Sequence, residues 1–163
     1  MIDKSTYREA MARLGAAVNI ITTVDGTGPR GLTASAVCSV TDNPPTLLLC
    51  INRDSDMNEA FKASGILCVN TLGAAQEHLS PVFASQTGAT QSERFAQAEW
   101  TTLATGAPVL EGAIVSFDCR ITQSTEVGTH TVFFCEVEAL QSSVESAGLI
   151  YFGRAYHRIV VDA

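Results

Sequence analysis

With 163 residues, 46% of them hydrophobic and 17% charged, the chain is long enough to bury a sizeable core as one domain over 1–163, and no shift in composition marks a linker. Its formal net charge of -7 excludes an extended nucleic-acid or acidic-membrane surface, since both require clustered Lys and Arg. No stretch approaches the length of a membrane span, and MIDKSTYREAMARL reads as a short capped helix rather than a signal peptide, so a cytoplasmic location is expected.

Thr6-x-x-Glu9 has the form of a capping box, and Tyr7, Met11 and Leu14 fall on one helical face before Gly15. Ala17 to Val24 reads as a strand, and Asp25-Gly26-Thr27-Gly28 turns the chain into a second strand near Gly31 as a hairpin. Gly26-Thr27-Gly28-Pro29-Arg30-Gly31 also satisfies G-x-G-x-x-G, with Asp54 roughly twenty residues further on. A dinucleotide fold would open a helix at Gly31. Leu32 to Thr41 is instead rich in indifferent helix formers, and Pro29 removes a donor from the loop, so the turn reading is preferred.

Thr33, Ala34, Ser35, Ala36 and Ser39 are too small to fill a core and let the backbone come close to another surface. Asn43-Pro44-Pro45 reverses the chain, Thr46 to Ile51 reads as a buried strand, and Ser55 is placed to cap the next helix. The first N–H groups and positive dipole end of that helix form a phosphate seat. A flat platform followed by such a seat suggests a mononucleotide site.

Asp56 to Ser64 suits a helix closed by Gly65, Ile66 to Leu72 a strand, Ala74 to Phe83 a helix disturbed by Pro81, and Ala84 to Ser92 a loop. Val115, Phe117, Cys119 and Ile121 alternate with Ser116, Asp118, Arg120 and Thr122, the period of a half-buried antiparallel strand. His130 to Leu140 is another strand, and Leu149 to Phe152, extending toward Ile159, the last. Many strands with few helices and no regular strand-helix alternation predict a mainly β fold, a closed antiparallel barrel rather than a doubly wound sheet. Cys38, Cys50, Cys68, Cys119 and Cys135 form no C-x-x-C pair and read as packing residues. His78, His130 and His157 lack zinc spacing, so no metal site is expected.

Taken together, GAAVNIITT at Gly15 to Thr23, TASAVCSVTDNPPTLLLCIN at Thr33 to Asn52, LCVNTL at Leu67 to Leu72, VSFDCRI at Val115 to Ile121 and VGTHTVFFCEVEA at Val127 to Ala139 resemble the short-chain flavin reductases, the reductase components of two-component flavin monooxygenases. The likeness covers nearly the whole chain. Within the family, LTASAVCSVT and VSFDCRI lean toward the FMN reductases that serve a uracil-degrading monooxygenase. The resemblance implies an antiparallel split β-barrel, the Greek-key FMN-binding split barrel, with a few short helices. It implies that Thr33, Ala34, Ser35 and Ala36 lie along the isoalloxazine ring, and that Cys50, Ile51, Asn52, Arg53, Asp54, Ser55 and Asp56 wrap the ribityl chain and phosphate. Asp54 and Asp56 would then turn their side chains away from the phosphate or bind hydroxyls. Ala84 and Ser85 would close over part of the flavin. His130, in Gly128-Thr129-His130, would face the nicotinamide side as the catalytic position, with Arg154 and Tyr156 also binding nicotinamide.

The implied activity is reduction of FMN, with FAD as the alternative flavin, by NADH or NADPH, hydride passing from the nicotinamide to flavin N5. Implied partners are a second copy of the chain, in a homodimer that covers the flavin, and a flavin-dependent oxygenase that receives reduced flavin by diffusion. Two other readings use the same barrel: a non-catalytic flavin or haem carrier, and an FMN enzyme of the pyridoxamine-phosphate oxidase type. The latter needs clustered cations for its substrate phosphate, and the chain's 10 Lys and Arg are scattered. His130 could equally be an exposed strand-opening histidine, His157 could simply end a strand, and His78 reads as structural.

Overall fold

The structure, a computed structural model, describes residues 1–144 and 147–160. Helix α1 (Lys4–Met11) is capped by Asp3, whose carboxylate accepts from the N–H groups of Ser5 and Thr6, so the cap lies ahead of the expected Thr6. It buries none of its residues, and Tyr7, Met11 and Leu14 are all exposed. Next come β1 (Ala16–Ala17), β2 (Asn19–Asp25) and β3 (Gly28–Ala34), β2 and β3 forming the expected hairpin. The G-x-G-x-x-G run is therefore turn and strand, with no helix at Gly31, and the dinucleotide reading fails on this geometry.

Strands β4 (Val37–Asp42) and β5 (Pro45–Asn52) form a second hairpin. In β5 only Leu47, Leu49 and Ile51 are buried, so the strand covers the core with one face rather than two. Helix α2 (Asp56–Ser64) has the expected limits: Ser55 Oγ accepts from Met57 N, and Gly65 closes it at φ 69. Strand β6 (Ile66–Thr71) follows. The helical stretch after it is broken, with a 3-10 turn at Ala74–Gln76 and then α3 (Leu79–Phe83). Pro81 falls in the first turn of α3, where the missing N–H costs no helical bond, so the break precedes it.

The expected loop ends early. Thr90 and Glu93 form a reciprocal capping box that opens α4 (Gln91–Phe95). The short pair β7 (Trp100–Thr102) and β8 (Pro108–Leu110) precedes the long strands β9 (Val115–Val127) and β10 (His130–Ser142). The polar face of β9 is buried at its start, where Asn70 accepts from Ser116 Oγ and Asp118 accepts from Thr105 N at 2.7 Å and from Thr105 Oγ1, whereas Arg120 and Thr122 are exposed. The last strand is in fact two, β11 (Ala147–Phe152) and β12 (Ala155–Val160), joined at Gly153-Arg154, where both residues take positive φ.

One antiparallel sheet runs β3-β2-β6-β9-β10-β5-β4, and a second joins β1, β11 and β12. Among the described residues no ladder links the edge strands β3 and β4. They are connected through Ser35 and Ala36, and this is where the barrel is split. Inside, Phe61 of α2 meets Phe133 edge-on among Leu49, Ile51, Leu67 and Val69. Outside the β2–β3 hairpin, Phe83, Phe95 and Trp100 stack beneath α3 and α4.

Candidate functional site

A groove of about 390 Å³ opens at the split between the two sheet edges. Thr33, Ala34, Ser35 and Ala36 form one wall, Cys50, Ile51, Asn52 and Ser55 another, and Ala84 and Ser85 a third, with Leu32 and Phe83 behind them. Ten of the residues expected around a flavin are thereby brought together, each by a local cause. The small-residue wall is the end of edge strand β3, held against α3 by Thr33 Oγ1, which donates to Ser80 O at 2.7 Å. Gly31 turns both main-chain groups outward, N to Gln91 Oε1 at 3.0 Å and O to Gln91 Nε2 at 3.1 Å. Because the direction of backbone polar groups alternates along a strand, Thr33 presents its N–H and C=O on the same open side.

The second wall is the C-terminal end of β5. Cys50 and Asn52 face the groove, while Asn58, fully buried, donates to Ile51 O at 3.2 Å and accepts from Thr131 Oγ1 at 3.2 Å, fixing the strand end against α2 and β10. Burial first, and Cys38 second, push the Cys50 thiol up, so at neutral pH it is a protonated, unreactive wall group. The third wall is held by strain and a cation: Ser85 has φ 61, and Arg94 Nη2 donates to its Oγ at 2.9 Å.

Other expected site residues lie apart from the groove. Arg53 and Asp54 line a separate polar cleft with Glu59, Lys62, Glu126, Gly128 and Thr129. The reason is charge and backbone pairing: Arg53 bridges Glu126 at 3.1 Å, its Nη1 donates to Gly128 O, and its main-chain N–H donates to Thr129 O at 2.9 Å. Asp56, the first residue of α2, is exposed. Arg154 sits in the β11–β12 turn beside Arg13 and Phe152, on another cleft. Tyr156 is nearer: its OH is 2.8 Å from Ser80 Oγ, and it borders a hollow of about 180 Å³ that shares Thr33, Ala34, Ser35 and Ala84 with the groove.

His130 opens β10 directly opposite Asn52, on the face that carries Cys50, and is exposed. Its Nδ1 lies 2.9 Å from Thr129 Oγ1, which leaves Nε2 as its outward polar atom. Among the remaining cysteines, burial pushes Cys135 up to about 12 and raises Cys68 and Cys119 further, in keeping with packing, whereas Cys38 is exposed on edge strand β4. Gln91, Arg94 and Asn58 were not anticipated from sequence. The Thr90-x-x-Glu93 pattern was the available signal for the first two.

A profile of the flavin reductase like domain family matches residues 11–160. The chain belongs to this family. It is 57% identical over 160 residues to the FMN reductase (NADH) RutF of Pantoea ananatis, covering 98% of this chain and 83% of that one. The solved NADH:FAD oxidoreductase SgcE6 of Streptomyces globisporus, in complex with NAD and FAD fragments, superposes with a TM-score of 0.88 at 30% identity, covering 99% of this chain and 95% of the other. BorF, the flavin reductase component of a bacterial two-component tryptophan halogenase, superposes with a TM-score of 0.90 at 25% identity over 98% of this chain and all of its own, 100%. Within the family frame the mainly antiparallel sheet with few helices is the split-barrel fold.

Proposed function

We propose that this flavin reductase family chain is an NADH-dependent FMN reductase that supplies reduced flavin to a partner monooxygenase. The observation that carries the reading is the groove at the split, where an edge strand with open backbone groups meets the capped start of α2. A 57% identical relative named for NADH-dependent FMN reduction adds direct support. The residues fit the cofactor. Thr33 to Ala36 offer a flat wall with backbone donors and acceptors for the polar edge of a ring system, and Ser55 at the start of α2 offers its hydroxyl, beside the positive end of the helix, for a phosphate.

Bound FMN supplies the hydride-accepting ring and NADH the hydride, so the protein needs neither a nucleophile nor an acid-base pair. The wall Thr33 to Ala36 orients the ring, and Ser55 anchors the phosphate end. Cys50 and Ala84 contribute apolar contact that keeps water from the ring. His130, exposed on the groove face of the sheet and steadied by Thr129, positions the nicotinamide; Tyr156, held by Ser80, borders the adjoining hollow on which the same dinucleotide can lean. Arg154 lines a different cleft, with Arg13 and Phe152, and does not border that hollow.

The functional unit in this reading is one domain over 1–163, paired as a homodimer in the cytoplasm, releasing reduced flavin by diffusion to its oxygenase. The exposed apolar residues of α1, together with Phe152 and Ile159 of the terminal hairpin, are the kind of surface a second copy covers. No helix among the described residues is long and apolar enough to cross a membrane. A steady-state assay crossing NADH and NADPH with FMN and FAD tests the activity: NADH with FMN is expected to be fastest, and nicotinamide oxidation that needs no flavin would defeat the proposal.

A further inference from the structure

Glu126 holds together the polar cleft of about 390 Å³ that lies between α2 and the β9–β10 turn. Its Oε2 is 3.1 Å from Arg53 Nη2 and its Oε1 3.3 Å from Lys62 Nζ, and Lys62 also reaches Glu59 at 3.1 Å. Three carboxylates, those of Asp54, Glu59 and Glu126, thus face two cations, Arg53 and Lys62, and both cations are already paired. Half of the Glu126 side chain remains exposed, and each carboxylate oxygen accepts more than one hydrogen bond, so it can take a hydroxyl without releasing either cation.

This cleft adjoins the position read above as the nicotinamide contact. Thr129, one of its lining residues, lies 2.9 Å from the His130 ring, and Arg53 directly follows Asn52 of the groove wall in the chain. A dinucleotide held at His130 extends far beyond one ring, so its adenosine half must rest on a neighbouring surface. The Tyr156 hollow, at about 180 Å³ and without a charged lining residue, suits the nicotinamide end, whereas the cleft is about twice as large and rich in acceptors. NADH and NADPH differ only at the 2′ position of the adenosine ribose, a hydroxyl in the first and a phosphate in the second. A carboxylate accepts from the hydroxyl and repels the phosphate. With Arg53 and Lys62 both bound to carboxylates, neither is left to offset the added charge.

We propose that Glu126 receives the adenosine ribose of the nicotinamide substrate and sets the preference for NADH over NADPH. The inference rests on the flavin reductase reading above and deepens it. The test is steady-state kinetics of wild type, Glu126→Gln and Glu126→Asp with FMN and each nicotinamide in turn. Wild type should favour NADH. In Glu126→Gln the ribose loses a charged acceptor, Arg53 is released and Lys62 keeps only Glu59. NADH kcat/KM should then fall about threefold to tenfold and NADPH kcat/KM rise, moving their ratio by about tenfold to a hundredfold. The change should sit in KM, and the NADPH gain should shrink with added salt, as attraction to exposed cations does. Glu126→Asp, which keeps the charge, should retain the preference for NADH. Equal losses with both nicotinamides would mean that Glu126 only braces the turn that carries His130, and an unchanged ratio in an active Glu126→Gln protein would mean that the ribose lies elsewhere; either result overturns the assignment. A wild type indifferent to the 2′-phosphate would defeat the assignment and leave the flavin reading standing. Oxidation of neither nicotinamide in the presence of FMN would remove both.

Discussion

Thr129 Oγ1 lies 2.9 Å from Nδ1 of His130, the residue that faces Asn52 across the β10–β5 ladder. Since Arg53 also holds Thr129 through its carbonyl, the imidazole is presented from a braced turn rather than a loose one. His130→Ala is expected to slow reduction of bound FMN about tenfold to a hundredfold, the scale of a lost positioning contact, while FMN affinity barely changes. Single-turnover reduction across an NADH series measures this. Collapse of FMN binding with a normal reduction rate would move His130 to the flavin shell.

Ser35→Leu should abolish flavin binding and leave the fold intact, because Ser35 is exposed at the split and contributes no core volume. Flavin fluorescence alongside a thermal melt checks both halves. A folded variant with unchanged FMN affinity would place the ring elsewhere.

Gly31→Ala is expected to destabilise the fold although its backbone is unstrained. A Cβ there would meet Phe83 at 3.0 and 3.1 Å and the Ile21 carbonyl at 3.2 Å. Overpacking of this kind costs roughly 1–3 kcal/mol. Because Phe83 precedes Ala84 and Ser85, loss of stability in urea should come with weaker FMN binding.

Asp118→Ala removes the buried acceptor of Thr105 N and Oγ1, leaving the link between β7 and β8 without its anchor. A buried donor left unsatisfied costs about 1–3 kcal/mol, so the urea midpoint should fall while FMN affinity of the folded protein holds. No change in midpoint would contradict the role.

Stability should also decline in alkali. Burial raises the Cys135 thiol from 9.0 to about 12, so in that window the unfolded chain loses a proton that the folded chain keeps. The folded state then binds more protons, and stability falls as pH rises from about 9 toward 12, being unaffected by this group below that range. Cys135→Val should make that part of the pH profile less steep in denaturant titrations, the buried Cys68 and Cys119 supplying the rest; an identical slope would exclude the Cys135 thiol as a source.

What was legible in the sequence was what depends on neighbours along the chain. Ser55, the helix from Asp56 to Ser64 and Gly65 could be read because a cap and a left-handed stop are local. The groove walls could be read from residue size and the family likeness. By contrast, nothing near Asp118 announces that its face is buried, because its partner Thr105 comes from another segment, and the apolar stripe of α1 gave no hint that it would stay exposed. Arg53 looked like a groove residue by position, yet its destination was decided by Glu126, far along the chain. Arg154 was drawn off by a tight turn that replaced one long strand with two.

Ser35 borders the groove, the Tyr156 hollow and also a larger apolar cavity of about 590 Å³ walled by Leu47, Val69, Phe117 and Val137. Among their lining residues it is the one that all three share. A shift of its backbone would therefore change the lining of all three together.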